Sequence, residues 1–197
     1  MTALVALVAY LLGGSPTADW FANRRGVDLR TAGSKNPGAN NAMRIGGRRL
    51  GATILTVEVA KGAACVGLGA ALAGETGMAV AGIAAAAGNV FNPYRRFKGG
   101  QGLGISAGIL IAAIPAAALG GIAVISGLAI VFRKSAPATL AALGVIVAVG
   151  AWLPAQPWGI ADNRWASVLC VGLAAVIAPK QIQKITPTVR RPPPAPS

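Results

Sequence analysis

Two stretches of the chain combine glycines, amides, a hydroxyl and cations in a pattern suited to holding phosphate. The first, within residues 25–44, contains Ser34, Lys35, Asn36, Gly38, Asn40, Asn41 and Arg44; the second, within 88–102, contains Asn89, Lys98, Gly99, Gly100, Gln101 and Gly102. Glycines let successive backbone N–H groups converge on one anion, while amides and the hydroxyl donate further hydrogen bonds and the cations balance charge. Each stretch runs into an apolar segment. This predicts an anion at a helix N-terminus, where N–H groups lack intrahelical partners and the dipole favours negative charge. Neither stretch is a nucleotide loop: Gly99-Gly100-Gln101-Gly102 lacks the Gly-Lys-Ser/Thr ending of a Walker A loop, and the setting is not the strand–turn–helix of a Rossmann site. The residue types also fit a plainer reading, in which basic residues set membrane topology and the glycines form turns.

Composition narrows the chemistry further. The 197 residues include no His, which excludes His-based triads, metal sites and general bases. Lys and Arg number 18 against 5 Asp and Glu, a formal charge of +13, yet charged residues make up only 12% and mean hydropathy is +0.62. A nucleic-acid surface would need more cations and more aromatic rings, so no nucleic-acid partner is expected. Cys65 and Cys170 lie far apart in apolar stretches without a CxxC partner and read as buried small hydrophobes. No metal and no cofactor is expected.

The elements that must position the two loops are membrane helices. Apolar runs recur at about 1–22, 50–73, 77–92, 103–119, 120–132, 138–153 and 165–178, a working count of seven spans in an all-α polytopic protein. The first run lacks the basic start of a signal peptide and reads as retained. Residues 103–132 form either one long tilted helix or a hairpin turning near Pro115 or Gly120–Gly121. Sixteen of the 18 Lys and Arg cluster at 23–49, 93–102, 133–134 and beyond 179. With a hairpin, all four clusters share one face, which the positive-inside rule assigns to the cytoplasm, leaving the N-terminus outside. Glu58 and Lys61 share a helix face at membrane depth and should point inward, either tethering each other or supporting a polar site. Gly100, Gly104 and Gly108 form a double GxxxG suited to close helix packing. Residues 1–180 read as one transmembrane domain and 181–197 as a basic, proline-rich cytoplasmic tail, its Arg190–Arg191 suited to anionic lipid headgroups.

The wording of the loops carries a resemblance. Gly33-Ser34-Lys35-Asn36-Pro37-Gly38-Ala39-Asn40-Asn41 followed by Arg44, then Glu58-Val59-Ala60-Lys61-Gly62, then Gly88-Asn89-Val90-Phe91 and Phe97-Lys98-Gly99-Gly100-Gln101-Gly102, resembles the bacterial acyl-phosphate:glycerol-3-phosphate acyltransferases of the PlsY type. The match covers about 13–62 and 88–105. It departs from the family pattern at Asn89, where the family has His, at Gln101, where it has Lys, and at Ala178-Pro179-Lys180-Gln181, where it has His-Arg-x-Asn.

The resemblance implies a seven-helix enzyme of the bacterial inner membrane with its active site on the cytoplasmic side. Its substrates would be acyl phosphate and glycerol 3-phosphate, its product lysophosphatidate, and its only other partners membrane lipids. Lys98 and Ser34 would be catalytic; Lys35, Asn36, Gly38, Asn40, Asn41, Arg44, Asn89, Gly99, Gly100, Gln101 and Gly102 would bind substrate phosphate. An acyl phosphate is already activated, so alignment and charge stabilisation suffice, with the hydroxyl proton passing to a substrate phosphate oxygen. The alternatives are a catalytically inactive relative serving as a lipid-binding or structural subunit, and a transporter with a path lined by Glu58 and Lys61.

Overall fold

Proline and glycine divide the apolar sequence into its helices. The computed structural model describes residues 1–132, 135–152 and 159–185, and their regular structure is entirely helical. The helices are α1 (Thr2–Gly14), α2 (Thr17–Asn23), α3 (Ala39–Val90), α4 (Leu103–Ala113), α5 (Pro115–Phe132), α6 (Ser135–Trp152) and α7 (Asn163–Ile185), with a 3₁₀ turn at Pro93–Arg95. The apolar run 1–22 is thus broken rather than continuous. Ser15 precedes Pro16 and is extended (φ −52°, ψ 131°), as the proline ring requires of its predecessor.

Helix α3 is three helical pieces in one. Gly47 (φ 86°) separates a short first piece, and Ala73–Gly74, with Gly74 at φ 57°, separates 48–72 from 75–90. The second break reverses the chain: a Cβ on Gly69 would collide with the Gly77 carbonyl, so the two arms lie back to back. Within 103–132 the break falls at Ile114–Pro115, where Pro115 starts α5 and needs no backbone donor. Gly120 and Gly121 remain inside α5, and α4 is only 11 residues long.

Small residues set the helix spacing. Gly108 of α4 meets the Val59 carbonyl of α3 with no room for a Cβ, and Gly104 lies against the Glu58 carboxylate. Gly100 belongs to a different job. It precedes α4 and lies in a loop, so the expected double GxxxG is a single helical pair plus a loop glycine. The main core joins α1, α3, α4 and α7 through Val5, Val66, Ile105, Ile109, Leu169 and Leu173, while Cys65 and Cys170 are buried as free thiols. A second cluster of Ala18, Ala22, Leu29, Leu50 and Ile54 packs α2 and the following loop onto the start of α3.

The two ends of the bundle differ. At one end the Glu75 carboxylate accepts from the Ala161 and Asp162 N–H groups (3.1 and 2.9 Å), and Ile160 N–H donates to the Ala113 carbonyl. At the other lie the two phosphate-type loops. Among the described residues, three helical segments are long and apolar enough to cross a membrane, Thr2–Asn23, Ala39–Arg95 and Asn163–Ile185. Leu4, Leu7, Leu11, Leu119 and Val171 point outward, as a lipid-facing surface requires. Arg133–Lys134 and the proline-rich segment after 185 lie outside the described residues.

Candidate active site

The two loops face each other across one cavity of about 290 Å³. Its walls include Ser34, Asn36, Gly38, Asn40, Asn41 and Arg44 from the first stretch and Asn89, Gly100, Gln101 and Gly102 from the second. Leu55, Glu58, Gly104 and Lys184 complete it. Both helix starts open into this space: α3 begins after Gly38 and α4 after Gly102, and neither has a side-chain cap. Each terminus therefore presents unpaired N–H groups and roughly half a positive charge to the same cavity. Gly102 adopts the left-handed conformation (φ 77°) that turns the loop into α4.

The first loop is held by a residue of the helix it leads into. Asn41, almost fully buried, accepts the Ser34 N–H at 2.8 Å and donates to the Leu29 and Ala32 carbonyls at 3.0 and 3.2 Å. Its amide is thus spent on shaping residues 29–34, while Asn40, exposed beside it, has its side chain at the cavity wall. Asp28 makes a tighter local turn, accepting the Arg30 N–H at 2.8 Å. That bond and one with the Thr31 side chain hold the Asp28 carboxyl below the usual carboxylate range.

The second loop is held from a distance. Gly99 N–H and Gly100 N–H donate to the Val90 and Asn89 carbonyls, at 3.2 and 3.0 Å. Lys180 Nζ then donates to the carbonyls of Val90, Gly99 and Gly100 at 3.0, 2.8 and 2.8 Å. Gln181 is wholly buried, and its Nε2 donates to Gln101 Oε1 at 3.4 Å. Both residues belong to α7, which continues through Pro179 to Ile185, past the apolar run 165–178. Their burial against the second loop, rather than apolarity, extends the helix.

Beneath the cavity lies a buried polar layer. Asn89 Nδ2 donates to Glu58 Oε1 at 3.1 Å, and Asn92 Nδ2 donates to the Gly14 carbonyl at 2.6 Å. Glu58 and Lys61 diverge from their common helix face: Lys61 Nζ donates to the Gly13 and Ser15 carbonyls at 3.2 and 3.1 Å, closing the end of α1. Asp19, buried in α2, pairs with Arg30 at 3.2 Å and with Arg95, and Arg30 Nη1 also donates to the Lys98 carbonyl at 3.3 Å. One carboxylate therefore ties both loops together.

Ten of the thirteen expected site residues line the cavity, and three do not. Lys35 lines a second basin of about 270 Å³ that shares Ser34, Asn36, Gln101 and Lys184 with the first. Gly99 serves the loop, since a Cβ there would collide with the Asn89 carbonyl. Lys98 has an exposed side chain outside the walls of both spaces. Sequence reasoning missed Asp19, Arg30 and Lys184, and it placed Lys180 only at the position of the third family motif, His-Arg-x-Asn. Asp19 alone carried a signal, as the lone acid within an apolar run.

The cavity also meets an apolar groove. Leu103 lines both the cavity and a groove of about 60 Å³ between α4, α5, α6 and α7, walled by Leu110, Ile122, Ile125, Leu143, Ile146 and Leu173.

A polar cavity at two uncapped helix N-termini, sharing Leu103 with an apolar groove in a bundle of apolar helices, places the chain in the class of helical proteins of membrane type. Residues 3–189 match the family model described as glycerol-3-phosphate acyltransferase. A relative from Jannaschia sp. (strain CCS1), the "Glycerol-3-phosphate acyltransferase" of that organism, is 38% identical over 177 residues, 88% of this chain and 82% of the relative. The chain belongs to the glycerol-3-phosphate acyltransferase family. The fold is that of PlsY, an integral membrane glycerol 3-phosphate acyltransferase: its crystal structure in the glycerol 3-phosphate form aligns with TM-score 0.78 and 24% identity over 93% of this chain and 90% of PlsY. The lysophosphatidic acid form aligns with TM-score 0.79, 22% identity and coverage of 93% and 89%.

Proposed function

We propose that this chain is a membrane glycerol-3-phosphate acyltransferase that uses acyl phosphate as donor and releases lysophosphatidate and inorganic phosphate. The observation that carries the reading is the meeting, at Leu103, of the cationic cavity and the apolar groove. A substrate with a phosphate head and a hydrocarbon tail fits that junction. The 1-hydroxyl oxygen of glycerol 3-phosphate attacks the acyl carbonyl carbon, the carbonyl carbon–phosphate oxygen bond breaks, and the hydroxyl proton passes to a phosphate oxygen. The chain supplies alignment and charge, through the N–H groups at the starts of α3 and α4 and through Arg44. Ser34 acts from the wall shared by the two basins, and Lys98 acts from the loop that the Asp19–Arg30 link anchors. Asn36, Gly38, Asn40, Gly100, Gln101 and Gly102 orient phosphate oxygens, while Asn41, Asn89 and Gly99 hold their scaffold.

Counting 48–72 and 75–90 separately gives seven membrane segments, with the N-terminus outside and the site facing the cytoplasm of the bacterial inner membrane. The clustering of basic residues at the cavity end supports that orientation. The tail boundary moves from 180 to 185, since α7 carries Gln181 and Lys184 into the site, and the basic, proline-rich sequence beyond it contacts anionic lipid on the cytoplasmic side. Complementation tests the activity: the intact gene restores growth to cells depleted of their own acyl-phosphate acyltransferase, and Ser34→Ala does not. An expressed, membrane-inserted protein that never restores growth overturns the reading in favour of an inactive relative.

A further inference from the structure

The cations around the site are not interchangeable, because three of them are already committed. Lys180 Nζ is occupied by three loop carbonyls, and Arg30 and Arg95 by Asp19. Lys184 is different. It lies four residues beyond Lys180 on α7, about 6 Å further along the axis. It lines both the main cavity and the second basin, and among the described residues it has no hydrogen bond or ion pair. Among the described residues, only Lys184 and Arg44 bring side-chain positive charge into the main cavity, and of the two Lys184 also lines the second basin.

The two spaces suit different substrates. The main cavity shares Leu103 with the apolar groove, so a tailed phosphate is drawn to that side. The second basin shares no wall residue with the groove, and its walls are Ser34, Lys35, Asn36, Gln101 and the polar end of α7. It fits a phosphate ester without a tail. We propose that Lys184, together with Lys35, receives the phosphate of glycerol 3-phosphate in this second basin, as a substrate-contacting residue outside the three stretches that resemble family motifs. The assignment rests on the acyltransferase reading. It also supplies positive charge at the end of α7, where the family pattern has Arg and this chain has Pro179.

The test is titration of the purified full-length protein in lipid nanodiscs with sn-glycerol 3-phosphate, paired with steady-state kinetics using palmitoyl phosphate. Lys184 is exposed, so Lys184→Met should leave folding intact. Loss of one charge-assisted contact predicts glycerol 3-phosphate affinity weakened, and its KM raised, by about ten- to a hundredfold, with the palmitoyl phosphate KM within about twofold. Lys184→Arg should retain most of the affinity. Arg164→Met, removing a positive charge at the opposite end of α7, should change neither. The proposal is overturned if Lys184→Met leaves glycerol 3-phosphate binding unchanged, if only the palmitoyl phosphate KM moves, or if the unmutated protein does not bind glycerol 3-phosphate. Lys184-dependent binding without any lysophosphatidate would sustain the phosphate site and overturn the acyl-transfer reading alone.

Discussion

The two loops at the cavity have similar composition and are built in opposite ways. Residues 29–34 take their shape from Asn41, less than a turn into the helix that follows, and from the Asp28 turn. Residues 99–100 take theirs from Lys180, some eighty residues away, and from Arg30 in the other loop. Local construction makes a loop a self-contained part, whereas remote construction makes its geometry depend on how the last helix seats. Asp19 joins the two modes, since its carboxylate holds both Arg30 of the first loop and Arg95 of the second.

This contrast can be broken one contact at a time. Asn41→Ala should have the largest effect. It strands the Ser34 N–H and two carbonyls around a buried site, a loss of about 2–4 kcal/mol at the usual cost of unsatisfied groups. Thermal unfolding should show the loss, and turnover should fall by two orders of magnitude or so as the first loop loses its shape. Asp19→Asn should cost less, about 1–3 kcal/mol, because both arginines keep partial solvent contact and the amide keeps one acceptor. Its signature would be a rise in the KM of both substrates together, since both loops loosen.

Lys180→Met should affect the second loop alone. Loss of the cation behind three carbonyls is expected to lower kcat/KM by about tenfold with little change in Tm, and Lys180→Arg should recover part of it. Equal loss in the Arg and Met variants would show that the carbonyl tie does not matter. The smallest effect concerns acid. The folded Asp28 carboxyl titrates below its unfolded value, so the turn is favoured at neutral pH and that preference is lost as acid protonates the carboxyl. Asp28→Asn should flatten that part of the acid-stability profile, leaving neutral stability nearly unchanged because the group is fully exposed.

The same contrast explains what could be read from the residues. The first loop was legible because its donors, its cation and the start of its helix are contiguous. A break within 103–132 was expected near Pro115 or Gly120–Gly121 and falls at Pro115, while the reversal at Gly74 followed from the polar and glycine punctuation between two apolar runs. The partners of the second loop were only half legible: Lys180 and Gln181 stand where the family has its third motif, but nothing in the residues indicates that the Lys180 ammonium turns onto the Val90, Gly99 and Gly100 carbonyls. Glu58 and Lys61 were expected to point inward, either as a mutual pair or in support of a polar site, and their separate bonds to Asn89 and to the end of α1 fit the second of these. Lys98 stood out by its motif, whereas Lys184 stands at the cavity wall without one.

The central claim is that this cavity joins an acyl chain to glycerol 3-phosphate using donor phosphate chemistry alone. Its most direct test is product analysis with purified protein in a bilayer, supplied with palmitoyl phosphate and glycerol 3-phosphate in a metal-chelating buffer. Lysophosphatidate and inorganic phosphate are expected in equal amounts, with no lysophosphatidate when palmitoyl-CoA replaces palmitoyl phosphate and none from Ser34→Ala. Folded protein that forms no lysophosphatidate, or that forms it only from palmitoyl-CoA, would contradict it.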